Sequence, residues 1–215
     1  MRRIAPVLLF ALIASPACAA TAPTSDEVVR GIEARYNHLT SLEADFVQRY
    51  SQGPSDTRVE SGRVAFLRPG KMRWDYTTPE LKLFLSDGKS VYLYVPSARQ
   101  VTRATAKESQ DWRTPWRFLL GRARLKELFA RVEFSPEEPR APARYILRAY
   151  PRPEESARFR EVVIEVTADY RLTRLLIREP GGVETEFFFL RWRENPPLAR
   201  SLFEFHAPPG VAVIE

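Results

Sequence analysis

Cysteine, histidine, long apolar runs and blocks of like charge are all scarce in this chain, and each scarcity removes a class of explanation. A single cysteine, Cys18, cannot form an internal disulfide, so stability must come from an ordinary core. The two histidines, His38 and His206, and the absence of any C-x-x-C leave a zinc site without ligands. Neither histidine lies in a Ser, Cys or carboxylate pattern of the nucleophilic kind, so both read as surface or packing residues. There is no G-x-S-x-G, no P-loop and no G-x-G-x-x-G. The acidic pairs Glu137-Glu138 and Glu154-Glu155 sit in proline-bearing loops and read as solvated groups, not as an acid/base couple. An enzyme is therefore not expected, and neither a metal nor a cofactor is called for. Basic residues are scattered without a Lys/Arg block, which argues against nucleic-acid binding.

The longest apolar run, Val7 to Ala14, falls well short of the roughly 20 residues that cross a bilayer. Its setting is that of an export signal. Arg2 and Arg3 supply the positive region and Ala17-Cys18-Ala19 an A-x-A cleavage site, so Met1 to Ala19 is expected to be removed. Cys18 keeps one alternative open, since a lipid-modified cysteine at the cut would anchor the product. The formal charge of +6 falls to +4 once Arg2 and Arg3 are lost, 31 basic side chains then facing 27 acidic ones. About 195 residues remain, enough for one domain with a sizeable core.

What is present is alternation. Thr24 and Glu27 form a capping box ahead of Val28, Ile32, Tyr36 and Leu39 at helical spacing, which predicts an amphipathic helix from Ser25 to about Leu39. Leu42 to Tyr50 alternates as a strand. Ser61 to Val95 then reads as four successive strands with Asp87-Gly88 as a tight hairpin signal. Val64, Phe66 and Arg68 share a face, as do Met72, Trp74 and Tyr76, and Leu81, Leu83 and Leu85 are read as continuing that apolar set. Arg68 stands where the alternation calls for an apolar residue. A cation aimed at an apolar interior is costly without partners, which makes Arg68 the first functional candidate.

Beyond Ala104 the pattern changes. Thr114 as N-cap, Pro115 and Gly121 predict a short helix over Trp116 to Leu120, with a second from about Ala123 to Ala130. Their apolar residues need a core or cavity to cover. Strands are expected again at Tyr145 to Tyr150, Phe159 to Thr167, Leu172 to Arg178 and Glu184 to Arg193. These elements read as all-β with a helical plug in one domain.

The run from Gly62 to Val95, with Arg68-Pro69, Trp74, Pro79, Ser86-Asp87-Gly88 and Tyr92-Leu93-Tyr94, closely resembles the outer-membrane lipoprotein carrier (LolA) family. Leu42 to Gln48 is similar to that family's first strand, Thr114 to Gly121 to its lid helix, and Phe203 to Val213 to its closing strand. The resemblance implies a mainly β fold, an unclosed antiparallel β-barrel (a half-barrel) covered by short α-helices, over residues 20–215. It also implies a monomeric periplasmic carrier of a Gram-negative bacterium. Its partners would be acylated lipoproteins, an ATP-driven inner-membrane exporter and an outer-membrane receptor of similar fold. Arg68 would then latch the lid through backbone carbonyls. Met72, Trp74, Tyr76, Leu83, Leu85, Trp116, Phe118 and Leu120 are the cavity candidates, Met72 standing where many relatives carry an aromatic residue. Two other readings stay open: the lipid-anchored receptor itself, and a periplasmic binder of another amphiphile.

Overall fold

The structure, a computed structural model, describes residues 22–53, 55–105, 119 and 124–215. The leader, Cys18, the helix expected at Trp116 to Leu120 apart from Leu119, and the candidates Trp116, Phe118 and Leu120 lie outside the described residues.

The capping box forms as the sequence indicates. The Thr24 backbone N–H donates to Glu27 Oε2 at 2.8 Å and the Glu27 N–H donates to Thr24 Oγ1 at 3.3 Å, starting helix α1, Ser25–Asn37. It buries Val28, Val29, Ile32 and Tyr36. His38 ends it, with Nδ1 2.9 Å from the Ala34 carbonyl oxygen.

Six strands follow: β1 Ser41–Ser51, β2 Thr57–Leu67, β3 Lys71–Thr78, β4 Lys82–Ser86, β5 Ser90–Val95 and β6 Gln100–Thr105. Helix α2, Leu125–Leu128, precedes β7 Phe129–Phe134, β8 Tyr145–Pro151, β9 Glu161–Val166, β10 Leu172–Arg178, β11 Glu184–Glu194 and β12 Ala212–Ile214. Among the described residues they form one sheet in the order β12-β6-β5-β4-β3-β2-β1-β11-β10-β9-β8-β7. Every pairing is antiparallel except that of β12 with β6. The sheet's two ends, β12 and β7, do not join, so it is an unclosed barrel.

Its curvature follows from one distance. β3 and β11 lie three strand spacings apart, about 14 Å in a flat sheet, yet the Trp74 and Phe187 rings are 5.3 Å apart between centroids. The face that carries both must be the inside of a strongly curled sheet. On it lie Leu42, Ala44 and Phe46 of β1, Val64 and Phe66 of β2, Leu175 of β10, Ile164 of β9 and Leu147 of β8, in one buried cluster with α1 and α2. The apolar stripe of α1 thus covers the concave face. Three contacts dock its end: Tyr36 Oη accepts from the Leu172 N–H at 2.9 Å, Arg35 Nη1 donates to the Asp169 carbonyl at 2.9 Å, and Gly31 leaves room for the Tyr170 ring, which an added Cβ would meet at 2.4 Å.

Two expectations need correction. The second short helix spans only Leu125–Leu128, because from Phe129 the chain pairs with β8 as β7, and sheet pairing overrides the helical pattern. The closing strand is not continuous either. Arg200–Phe203 is a 3-10 turn and only Ala212–Ile214 is strand, so His206 lies in neither. Pro208 and Pro209 cannot donate to a ladder, and the chain turns there instead, Val211 N–H donating to the Pro208 carbonyl at 3.2 Å.

Candidate functional site

The concave face is built from alternate residues of adjacent strands brought level by register. Val64 opposes Trp74, Phe66 opposes Met72, and Trp74 opposes Phe84. Trp74 is the hub. Its ring meets Phe46 edge-on at 4.9 Å, Phe66 edge-on at 5.9 Å, Phe187 at 5.3 Å and Phe189 at 6.4 Å, and its Nε1–H points at Met72 Sδ, 3.5 Å away. Met72 is fully buried and Trp74 nearly so. Tyr76 continues the row, edge-on to Phe46 at 5.0 Å, its hydroxyl donating to Gln48 Oε1 at 2.7 Å. Burial, with the Glu60 carboxylate nearby, pushes the Tyr76 hydroxyl well above the usual phenol range.

Register removes two candidates from this face. Leu83 opposes Asp75 and Leu85 opposes Arg73, so both point to the outside of the sheet, and Phe84 holds the place beside Trp74. The alternation of Leu83 and Leu85 is real but reports a different cover, while Leu81 precedes β4 and is exposed. Arg73 Nη1 donates to the Leu202 carbonyl at 3.0 Å, Phe203 is fully buried, and Phe205 stacks on Tyr92 at 5.0 Å. The C-terminal segment therefore lies across the outer face of β3 to β6. The sequence reading put Phe66 on the apolar face without counting it a cavity candidate, and it missed Phe46, Phe187 and Phe189. The signal for the last two was the aromatic run Phe187-Phe188-Phe189 in a strand of period two.

Arg68 follows β2 at one end of the concave face and is half-buried. Its Nε–H donates to the Leu119 carbonyl at 2.9 Å and Nη1–H to the Asn37 carbonyl at 3.2 Å. One guanidinium thus joins the end of α1 to Leu119, within the segment read as the lid. Burial lowers its pKa from the usual value, without threatening a charge that arginine keeps in proteins. Two further side chains hold the chain just beyond. Glu33 Oε1 accepts from the Leu125 N–H at 2.8 Å, and Arg152 donates to the carbonyls of Lys126 at 2.8 Å and Glu127 at 2.9 Å. They cap the two ends of α2.

The sheet is thus curled and unclosed, with an aromatic interior under helices and an arginine tied to backbone carbonyls. The family described as outer membrane lipoprotein carrier protein LolA matches residues 37–206. The chain belongs to this family. A relative from Methylococcus capsulatus, named outer-membrane lipoprotein carrier protein, is 33% identical over 81% of this chain and 81% of its own. One of the same name from Bordetella avium is 32% identical over 99% of this chain and 96% of its own. An uncharacterized conserved protein from Thermus thermophilus, 14% identical, shares the fold at a TM-score of 0.55 over 88% of this chain and 97% of its own.

Like its concave face, the outer face of this carrier-family chain is organised. Arg174, buried on β10, lies between Glu165, at 2.6 Å, and Glu186, with which it also pairs. Arg140 reaches Glu186 at 3.7 Å and Glu137 reaches Arg148 at 3.0 Å, so the loop between β7 and β8 straps over Ile146, Val163 and Leu176. An open groove of about 570 Å³ crosses β11, β1, β2 and β3 beside Asp45, Arg63 and Asp75. Its charges are mutually paired, Asp45 with both Arg63 and Arg191 and Asp75 with Arg73.

Proposed function

We propose that this chain is a periplasmic carrier that encloses the acyl chains of lipoproteins between the concave face and its helical cover. It takes them from an inner-membrane exporter and delivers them to an outer-membrane receptor. Met1 to Ala19 is the removed leader, residues 20–215 are the carrier, and the working unit is a monomer. The observation that carries this reading is the Arg68 tie. It joins α1 and Leu119 over an interior of apolar side chains whose rings contact each other. The cover packs on that interior through apolar side chains and is tied to it by few polar bonds, so acyl chains can take the place of its apolar contacts once those bonds break.

The energetics demand direct handover. A buried methylene contributes about 0.8 kcal/mol, so two or three long chains amount to about 20–35 kcal/mol against water. Non-covalent affinity saturates near about 20 kcal/mol. Release into solution is therefore too slow to serve, and the cargo must pass from donor to carrier to acceptor without meeting water. Met72, Trp74 and Tyr76 line the site, with Phe84 in place of Leu83 and Leu85, and Trp116, Phe118 and Leu120 belong to its cover. The aromatic rings and the flexible thioether suit chains of variable shape.

The test uses a synthetic peptide with an acylated N-terminal cysteine and the same peptide without acyl groups. The purified protein should bind the first and not the second. Equal binding of both, or of neither, would overturn the proposal. Intact mass of the exported protein separates a carrier from an anchored receptor: cleavage after Ala19 removes Cys18, whereas anchoring adds acyl mass to it.

A further inference from the structure

The concave face is not apolar along its whole length. Register sets a staggered level at which five neighbouring strands change character: β3 and β4 change beside Phe46, β1 and β2 one pair further on, and β11 one pair beyond that, where Thr185 opposes Tyr50. On β1 Phe46 is followed, two residues on, by Gln48; on β2 Val64 and Gly62 give way to Glu60; on β3 Trp74 gives way to Tyr76; on β4 Phe84 gives way to Lys82; on β11 Phe187 gives way to Thr185. Gln48 opposes both Glu60 and Phe187, and Tyr76 opposes both Gly62 and Lys82, so these residues share one face and nearly one height. The level lies toward the β1–β2 hairpin, at the end of the face away from Arg68.

The side chains at this level are joined. Tyr76 Oη donates to Gln48 Oε1 at 2.7 Å, the Lys82 ammonium pairs with Glu60, and that ammonium also lies 4.7 Å from the Tyr76 ring centroid. Lys82 and Glu60 each keep only 22% of their side-chain surface exposed. Gly62 is required where the row begins. A Cβ there would lie 1.9 Å from the Asp75 carbonyl oxygen, and its bare position lets the Phe46 and Tyr76 rings meet.

We propose that Gln48, Glu60, Tyr76 and Lys82 form the subsite for the polar linkage of the ligand, taking the ester and amide groups that join acyl chains to the cysteine and its peptide. This rests on the acyl-carrier reading of the concave face. The chemistry selects that class. Ester carbonyls only accept hydrogen bonds, and the row offers donors in the Gln48 amide and the spare Lys82 N–H groups. The amide N–H of an acylated cysteine needs an acceptor, which Glu60 supplies. Since Glu60 already balances Lys82, the row has no net charge and favours a neutral linkage over the carboxylate of a free fatty acid.

The experiment compares three probes on the full chain: a triacylated cysteinyl peptide, the hydrocarbon dye diphenylhexatriene, and hexadecanoate. Gln48→Met and Lys82→Met, which each remove a donor to the linkage, should bind the dye as wild type does and the acylated peptide about tenfold more weakly, the size expected for one lost hydrogen bond to ligand. Glu60→Gln frees the Lys82 charge and should bind hexadecanoate several-fold more tightly than wild type. Wild-type affinity for the acylated peptide in both Gln48→Met and Lys82→Met, or unchanged hexadecanoate affinity in Glu60→Gln, would overturn the subsite while leaving the acyl site standing. Failure of wild type to bind dye or acylated peptide would overturn the acyl site, and the subsite with it. A variant that loses the dye as well as the peptide has lost the apolar interior, which contradicts a role confined to the linkage.

Discussion

At the scale of single residues, Arg68 and Tyr36 make the most testable demands. On the proposed carrier function, the bonds from Arg68 to the Leu119 and Asn37 carbonyls belong to the closed, empty arrangement. Interactions present only in the empty state oppose loading, so removing them shifts the balance toward the loaded one. Hydrogen bonds to charged groups contribute about 1.5–3 kcal/mol each. Arg68→Leu should therefore fold, accept acylated peptide and retain it about tenfold more tightly or better, passing it poorly to receptor-bearing vesicles. Arg68→Lys keeps charge without the planar fork and should transfer at an intermediate rate. Wild-type transfer by Arg68→Leu would remove the latch role. Tyr36 makes a demand on pH. Burial raises its hydroxyl from 10.0 to about 12, the Leu172 N–H bond and nearby arginines opposing the rise only in part. The raised folded value means that the unfolded chain ionises first. Its contribution to stability is complete below about pH 10 and is lost as pH climbs through about 12. Urea unfolding should show a steeper alkaline fall for wild type than for Tyr36→Phe, which has no phenol to ionise. Parallel curves would refute this.

At the scale of elements, what the sequence disclosed and what it concealed divide along a physical line. The capping box at Thr24, the Asp87-Gly88 hairpin and the strands β2 to β5 were legible because each is specified by residues next to it. Faces were harder. Alternation at Leu83 and Leu85 shows that a surface is covered but not by what, and the cover proved to be residues near 203, over 100 positions away, whereas Leu81, read into the same set, is exposed. Parity across the β3–β4 loop decided which face these leucines take, and no local pattern encodes it. A lid-segment carbonyl as a partner of Arg68 was expected from family resemblance, but the Asn37 carbonyl was not, and Glu33 and Arg152 were not singled out until the fold brought them to α2. The C-terminal cover gives its own prediction. Phe203→Ala empties a fully buried site on the outer face and should cost about 3–5 kcal/mol in chemical denaturation. Acylated-peptide affinity should be preserved under native conditions, because that face is not the ligand's. A loss of affinity without loss of stability would contradict the assignment of faces.

At the scale of the whole molecule, two faces of one sheet carry different work. The outer face is sealed by a C-terminal strap at one side and a charged loop at the other, which fixes the sheet's shape. The inner face gathers its aromatic rings around Trp74 and is covered by α1, α2 and Leu119. Closing the barrel fully would bury that interior permanently. On the proposed carrier function, leaving it open lets a cover replace ligand, and ligand replace cover. The central claim is that acyl chains lie against Trp74. The most direct measurement is fluorescence of a protein in which Trp112, Trp116 and Trp192 are changed to Phe, titrated with a peptide carrying brominated acyl chains, since bromine quenches tryptophan only near contact. The account predicts strong quenching of Trp74 that saturates with binding and is absent for the unacylated peptide. Tight binding of the brominated peptide with Trp74 emission unchanged would contradict it.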